Sequence, residues 1–461
     1  MVTWAGVFSQ PIIYNDLTTL ITGTWDENGT LEEITTNVPQ EGTHHYRFSY
    51  SYTAYWAGFG LNMNNWGASS ARDFTGYTHL RIAYRGLTGS EGLSITLRGA
   101  GVDGNTISLG GPMVSYVVID IPLLSFTAGT SLSIDAVTEL MLSVGNSNST
   151  GSGTVYIDNI YLVNQNTTNT TSATTWQRAN SMHKGINLSN WLEAYWLIPF
   201  NAYPETNKYT AATFSNFRSL GIDAVRMPIT FEHLAGATHP YTLNTNHPAF
   251  SLIDDAIDWA ATYDMKLIID MHHGTTTLTD ANYLSELPRL TAIWEQIVAR
   301  YASLDPERYF FEIYNEPHAI SNANFRVVAQ ALVDVIRNAG ATHSVIVGAS
   351  GYNSGTELLS FTPLNDPDII YTFHYYEPYF FTHQQMSWTT PAYLAATSFP
   401  VGNDLATMQS RIDAVGQWSN FYNAPVMLGE FGVSANADLV SRCNWVSALA
   451  QLLDDNNLAW F

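Results

Sequence analysis

Eight short apolar runs recur through the second half of the chain, near residues 184–188, 222–227, 266–271, 309–313, 344–348, 368–373, 424–428 and 457–461. Stretches of helical period lie between them, among them 213–220, 252–263, 289–303, 324–338, 405–421 and 439–455. Strand and helix in alternation, repeated this often, predict a (β/α)8 TIM barrel, with a doubly wound open sheet as the alternative. An open sheet would often carry a Gly-rich phosphate loop after its first strand, and Gly185-Ile186-Asn187-Leu188-Ser189 is not one. The eighth run coincides with the last residue, so the expectation is a C-terminally truncated barrel without its last helix. Such a barrel would expose the apolar flanks of strands eight and one.

A different pattern fills the first part. Short alternating bursts such as Tyr46-Arg47-Phe48-Ser49-Tyr50-Ser51-Tyr52 and Leu93-Ser94-Ile95-Thr96-Leu97 are punctuated by Gly, Asn and Asp, with no helical period between them. That alternation predicts an all-β sandwich, jelly-roll-like. The polar run that opens at Asn164 is rich in Asn and Thr and reads as a flexible linker. The expected organisation is therefore a sandwich over 1–163, a linker over 164–178 and a barrel over 179–461.

Charge removes several function classes. The formal net charge is −22, and Lys184, Lys208 and Lys266 are the only lysines, so nothing here neutralises a phosphate backbone or an anionic membrane. No apolar stretch approaches membrane-spanning length. Cys443 is the sole cysteine, which excludes a disulfide framework and a multi-cysteine zinc site; its helical setting predicts a core position. The start, Met1 to Phe8, lacks the basic and long apolar regions of a secretory leader.

Six of the barrel runs end in residues that packing does not require: Arg226, then His272 and His273, then Asn315 and Glu316, then His374 and Tyr376, then Glu430, then Trp460. The C-terminal end of barrel strands is the catalytic face of this fold. Two carboxylates there, Glu316 and Glu430, are the equipment for glycosidic bond hydrolysis by double displacement. A zinc hydrolase is disfavoured, because no His-Glu-x-x-His occurs and His272 and His273 are expected to leave their strand in opposite directions. A Ser-His-Asp hydrolase is disfavoured too, since no Gly-x-Ser-x-Gly elbow follows a strand.

The segment from Lys184 to Phe461 resembles glycoside hydrolase family 5, the cellulase-type family of retaining barrel hydrolases, on Asn315-Glu316-Pro317 and Gly429-Glu430-Phe431-Gly432. The resemblance implies that Glu316 is the general acid/base and Glu430 the nucleophile, without a cofactor. It further implies that Asn315 binds the sugar 2-hydroxyl, that Arg226 and Tyr376 orient the nucleophile and keep it ionised, that His272 and His374 line the −1 subsite, and that Trp460 forms its floor. The loop Glu377–Trp388 is similar to the Phe-Thr-His-Gln loop of endo-β-1,4-glucanases in that family; Tyr379, Phe381 and Trp388 are loop packing or sugar platforms. Near the first run, Asn187, Trp191, Glu193 and Trp196 suggest further contacts to the sugar.

The first domain resembles a carbohydrate-binding sandwich on 73–80 and on Val155-Tyr156-Ile157-Asp158-Asn159-Ile160. Tyr46, Phe48, Tyr50 and Tyr52 share a strand face and are expected in the core, whereas Tyr55, Trp56 and Trp66 lie in or near loops and are candidates for sugar stacking. A structural calcium is common in such sandwiches, and no ligands are assigned to it. The expected whole is a monomeric, secreted, retaining endo-β-1,4-glucanase acting on plant cell-wall glucan, its secretion inferred from the substrate. An endo-β-1,4-mannanase, a xyloglucanase or a mixed-linkage glucanase are the enzyme alternatives, and an inactive polysaccharide-binding protein is the alternative from another class.

Overall fold

The computed structural model describes residues 12–15, 19–35, 39–40, 43–53, 56–88, 91–110, 114–145, 151–164, 171–195, 208–389 and 395–461. The chain divides into two compact units, Met1–Thr167 and Thr168–Phe461.

The first unit is a sandwich of two antiparallel sheets. One sheet orders Gly29–Ile34, His45–Tyr52, Gly151–Val163, His79–Gly86 and Val117–Pro122, with Ile12–Tyr14 added to Gly151–Val163. The other orders Gly23–Glu27, Ala57–Asn62, Val137–Val144, Leu93–Gly99 and Val102–Gly110. Alternate residues of both sheets meet in one core that includes Phe48, Phe59, Leu61, Ile82, Ile95, Leu140 and Ile157. Tyr46, Phe48 and Tyr52 are buried there and Tyr50 is half-buried, stacked between Phe48 and Tyr52. One short helix, Leu123–Thr127, interrupts what reads as a helix-free stretch.

In the second unit eight parallel strands run in chain order: Gly185–Asn187, Ala224–Ile229, Lys266–Met271, Tyr309–Glu312, Val345–Val347, Ile369–Tyr375, Val426–Phe431 and Ala459–Trp460. A bridge between Lys184 and Trp460 joins the first to the eighth. Strands two to seven are buried on both faces, which is why they read as apolar runs without alternation, whereas the first and eighth are largely half-buried. Helices Ala211–Ser219, Pro248–Thr262, Tyr283–Tyr301, Asn322–Asn338, Asp404–Tyr422 and Leu439–Asp455 fall within a few residues of the periodic stretches. Between strands five and six lie only two four-residue turns, Ser350–Asn353 and Gly355–Leu358.

Inside the barrel, Ala224, Ile268, Phe310, Ile346, Ile370, Met427 and Phe461 form one apolar layer, closed from below by Ala179 and Met182. Ala179 belongs to helix Ala173–Asn180, which takes 173–178 out of the linker expected over 164–178, whereas 165–170 lie outside the described residues. Ser172 caps that helix, taking the Thr175 N–H at 3.0 Å and donating to Asp368 at 2.5 Å. Its buried Arg178 donates to Glu307 at 2.6 and 2.8 Å and to the Thr342 carbonyl at 2.8 Å. The segment is polar because its hydrogen bonds tie it to the rim of the barrel floor.

Cys443 is another correction. Helix Leu439–Asp455 buries Trp445, Leu449, Leu452 and Leu453, and its period turns Cys443 to the exposed side.

Candidate active site

Above the apolar layer, the next inward positions of the strands are polar, and one guanidinium organises them. Arg226, on strand two, is fully buried. Its Nε and Nη2 donate to the two oxygens of Glu312 at 2.6 and 2.8 Å, and its Nη1 donates to Asn187 at 3.0 Å and to Glu430 at 2.8 Å. Nη2 also reaches Oδ1 of Asn315 at 2.7 Å and Oδ2 of Asp270 at 2.9 Å.

Glu430 points into this layer because of a register shift. Strand seven pairs Leu428 with Phe373 and then Glu430 with His374, so Gly429 is passed over. The Asn187 amide donates to the Gly429 carbonyl at 2.9 Å and holds the irregular segment to strand one. The Tyr376 hydroxyl donates to Oε2 of Glu430 at 2.9 Å. Burial would raise the Glu430 carboxyl, but the charges of His374, Arg226 and His272 and the Tyr376 hydroxyl outweigh it, holding the group well below the usual carboxylate range. Burial and the Glu430 charge push Tyr376 well above its ordinary value, so the phenol stays a donor.

Glu316 follows strand four and is half-buried. Nδ1 of His374 lies 2.7 Å from its Oε1. Burial works against a charge on His374, yet Glu430 and the hydrogen bond to Glu316 raise its pKa. His272 behaves similarly: burial opposes its charge, and Asp270, 2.7 Å from Nδ1, raises its pKa. Glu316, His374 and Glu430 offer ligand atoms that all lie within 4.8 Å of one another, and they are the one such group of three among the described residues. A cation there would meet Arg226 and Tyr376 already on the two Glu430 oxygens.

Several expected site residues lie elsewhere. Trp191 is buried with its ring edge-on to Tyr209 at 5.3 Å, so it offers no open wall. The Glu193 carboxylate turns back on its own loop and accepts from the Asn190 and Trp191 N–H groups. Trp460 faces away from the barrel interior, because Ala459 and Phe461 take the inward positions of strand eight. Its indole donates to Asp454 at 3.2 Å, so it forms no subsite floor. His272 and His273 lie edge to face at 4.4 Å rather than on opposite sides, since the strand ends at Met271. Trp388 is 65% exposed and edge-on to His383, which packs on Tyr379 and Tyr376. Trp196 and Tyr55 fall outside the described residues.

Other residues join the site that the motifs did not single out. Glu312 and Asp270 hold Arg226 from beneath. Tyr352 is 60% exposed and stacks on His318, two residues past Glu316, at 4.6 Å. Its backbone is left-handed, φ 61°, between Gly351 and Asn353 in the same region.

In the first unit three indoles lie on the outer face of the five-stranded sheet. A Cβ on Gly23, Gly58 or Gly60 would run into the ring of Trp66, Trp56 or Trp25 respectively, so each glycine makes room for an indole. Trp25 and Trp56 meet edge to face at 6.4 Å, and Trp25 donates to Glu139. Trp66 is 57% exposed, with its backbone left-handed and its N–H bound to Asn62 at 3.0 Å. Trp25 escaped notice although Gly23-Thr24-Trp25-Asp26-Glu27 is a polar strand with nothing else large to bury.

Residues 164–461 match the family description "Cellulase (glycosyl hydrolase family 5)", and residues 11–164 match "Carbohydrate binding domain 30". Endoglucanase 3 of Fibrobacter succinogenes is 28% identical over 60% of this chain and 48% of its own length. Endoglucanase H of Acetivibrio thermocellus is 31% identical over 59% of this chain and 28% of its own. The chain thus spans half or less of these curated relatives. Among solved structures, endoglucanase Cel5A of Thermotoga maritima is 26% identical, with a TM-score of 0.56 over 62% of this chain and 90% of that one. Complexes of that protein with cellobiose and with mannotriose are 25% identical, each at a TM-score of 0.55.

Proposed function

The chain belongs to glycosyl hydrolase family 5, and from that premise we propose that it is a retaining endo-β-1,4-glucanase. The observation that carries the reading is the pairing of Glu316 and Glu430, with carboxylate oxygens within 4.8 Å. That separation suits double displacement, for which about 5–5.5 Å between carboxyl groups is typical, and leaves no room for the water an inverting enzyme places between them.

In the first step Glu316 gives its proton to the glycosidic oxygen while a Glu430 oxygen attacks the anomeric carbon. The bond to the leaving sugar breaks and a glycosyl ester forms. In the second step Glu316 takes a proton from water, the hydroxide oxygen attacks the anomeric carbon, and Glu430 departs as a carboxylate. Arg226 and Tyr376 stabilise that carboxylate before and after, so the chemistry needs no metal and no cofactor. Tyr352, stacked beside the acid on His318, is suited to receive the leaving sugar.

The first unit would hold the polymer by stacking pyranose faces on Trp25, Trp56 and Trp66. Its match to a carbohydrate-binding domain supports this reading. Action outside the cell, as a monomer, fits a polymeric substrate. Reducing-sugar release from carboxymethyl cellulose and from galactomannan, with Glu316→Gln as control, tests the proposal. Release from the cellulose derivative that disappears in the control supports a β-1,4-glucanase. Preference for galactomannan would keep the mechanism and make the enzyme a mannanase.

A further inference from the structure

Every N–H of the Arg226 guanidinium has an acceptor, and the acceptors are not equivalent. Glu312 takes the Nε–Nη2 edge with both oxygens, at 2.6 and 2.8 Å, the two-point pairing that fixes the guanidinium plane. Nη1 is thereby the nitrogen left to face Glu430 and Asn187. Glu312 is fully buried on strand four, directly beside Asp270 in the sheet register, and lies beneath the carboxylates that a substrate would meet.

Packing alone gives no reason for a carboxylate here. Burial pushes the Glu312 carboxyl up to about 7 in spite of Arg226, so the position works against its own charge. An apolar side chain of similar volume avoids that desolvation, and buried ion pairs are weak contributors to stability. The groups facing Glu312 are Arg226, Asp270 and His374; those facing Glu430 are Arg226, His272, His374 and Tyr376.

We propose that Glu312 is a positioning residue for the nucleophile: its fork on Arg226 decides which guanidinium N–H meets Glu430, and so keeps that carboxylate ionised and aimed. The assignment rests on the hydrolase reading above. It differs from a structural role in that it acts on the chemistry of Glu430 and leaves substrate affinity nearly alone.

Two substitutions separate these roles. Glu312→Gln keeps the shape but sets an amide NH2 against a guanidinium N–H, which breaks the fork. Glu312→Asp keeps the charge and withdraws it by one methylene. With 2,4-dinitrophenyl β-cellobioside, Glu312→Gln should lower kcat by about a hundredfold with KM changed only a few-fold. The acid limb of kcat/KM should move up by about one pH unit, as Glu430 loses an aligned cation. Glu312→Asp should recover part of both effects. Folded variants with wild-type kcat and an unmoved acid limb overturn the proposal, whatever their stability. Failure of both variants to fold also overturns it, by assigning Glu312 to the fold. If the wild type is silent on every β-1,4-glycan, the hydrolase reading fails, and the Glu430 carboxyl 13C resonance still decides about Glu312. Identified by its loss in Glu430→Gln, it should titrate at higher pH in Glu312→Asp than in the wild type; equal titration overturns the proposal.

Discussion

The imidazole Nδ1 of His374 lies 2.7 Å from Oε1 of Glu316, while the same atom is 3.7 Å from Oε2 of Glu430. One ring therefore stands between the two carboxylates, hydrogen-bonded to the first. The roles of the two glutamates should separate when the leaving group is varied.

Glu316→Gln removes the proton without changing the shape. Turnover of a polymeric glucan should fall by about 10²–10⁴-fold. The initial burst of phenol from a dinitrophenyl glycoside, whose leaving group needs no proton, should be slowed far less. Stopped-flow absorbance measures that burst, and an equal loss on both substrates would remove Glu316 from the acid role.

Glu430→Ala should abolish turnover and leave a space beneath the sugar. Azide or formate entering that space should restore part of the rate, with azide yielding a glycosyl azide of the configuration opposite to the substrate. Product analysis by NMR reads the configuration. A variant that keeps near-normal rates without added anion would end the nucleophile assignment.

The indole strip of the first unit makes its own prediction. Trp25→Ala, Trp56→Ala and Trp66→Ala should each weaken retention on soluble glucan in affinity electrophoresis, by about tenfold in Kd, or about 1.4 kcal/mol. Gly60→Ala should do likewise without removing an aromatic ring, since the added methyl displaces Trp25. Unchanged mobility in all four would move the binding face elsewhere.

Acid should destabilise the protein through histidines held neutral inside it. Burial pushes His79 and His343 down to about 4, each almost inaccessible to water. A folded pKa below the unfolded value of about 6.5 means stability that is complete above about 6.5 and declines as pH falls towards 4. Thermal unfolding followed across that interval should show Tm dropping, and His343→Gln should flatten part of the decline. A Tm independent of pH there would show that these rings do not govern acid stability.

The barrel strands were legible because burial leaves an unbroken apolar run, and the two candidate glutamates because each lies two or three residues past the end of such a run. What escaped depended on residues counted inward or outward from a neighbour. Trp460 closes the last run but sits one position off the inward register that Ala459 and Phe461 occupy. Glu193 and Trp191 lie in the right loop, yet the carboxylate caps two N–H groups of that loop and the indole fills its interior. The turns at 350–358 have no period to read, being built from caps such as Asn353 on the Ala349 N–H and Ser354 on the Glu357 N–H. Helix Ala173–Asn180 looked like linker because its anchors, Ser172, Thr175 and Arg178, are polar.

The passed-over Gly429 makes the aim of Glu430 a matter of residue count as much as residue identity. Met427 faces inward and Leu428 outward, so strict alternation would turn Gly429 into the barrel and Glu430 towards the helices. The extra residue reverses that parity for everything after it. A deletion of Gly429 alone would leave every charged side chain of the site in the chain and still unload Arg226 of Glu430. Comparing such sequences by which residues they retain would miss that loss; comparing the spacing between Leu428 and Glu430 would reveal it.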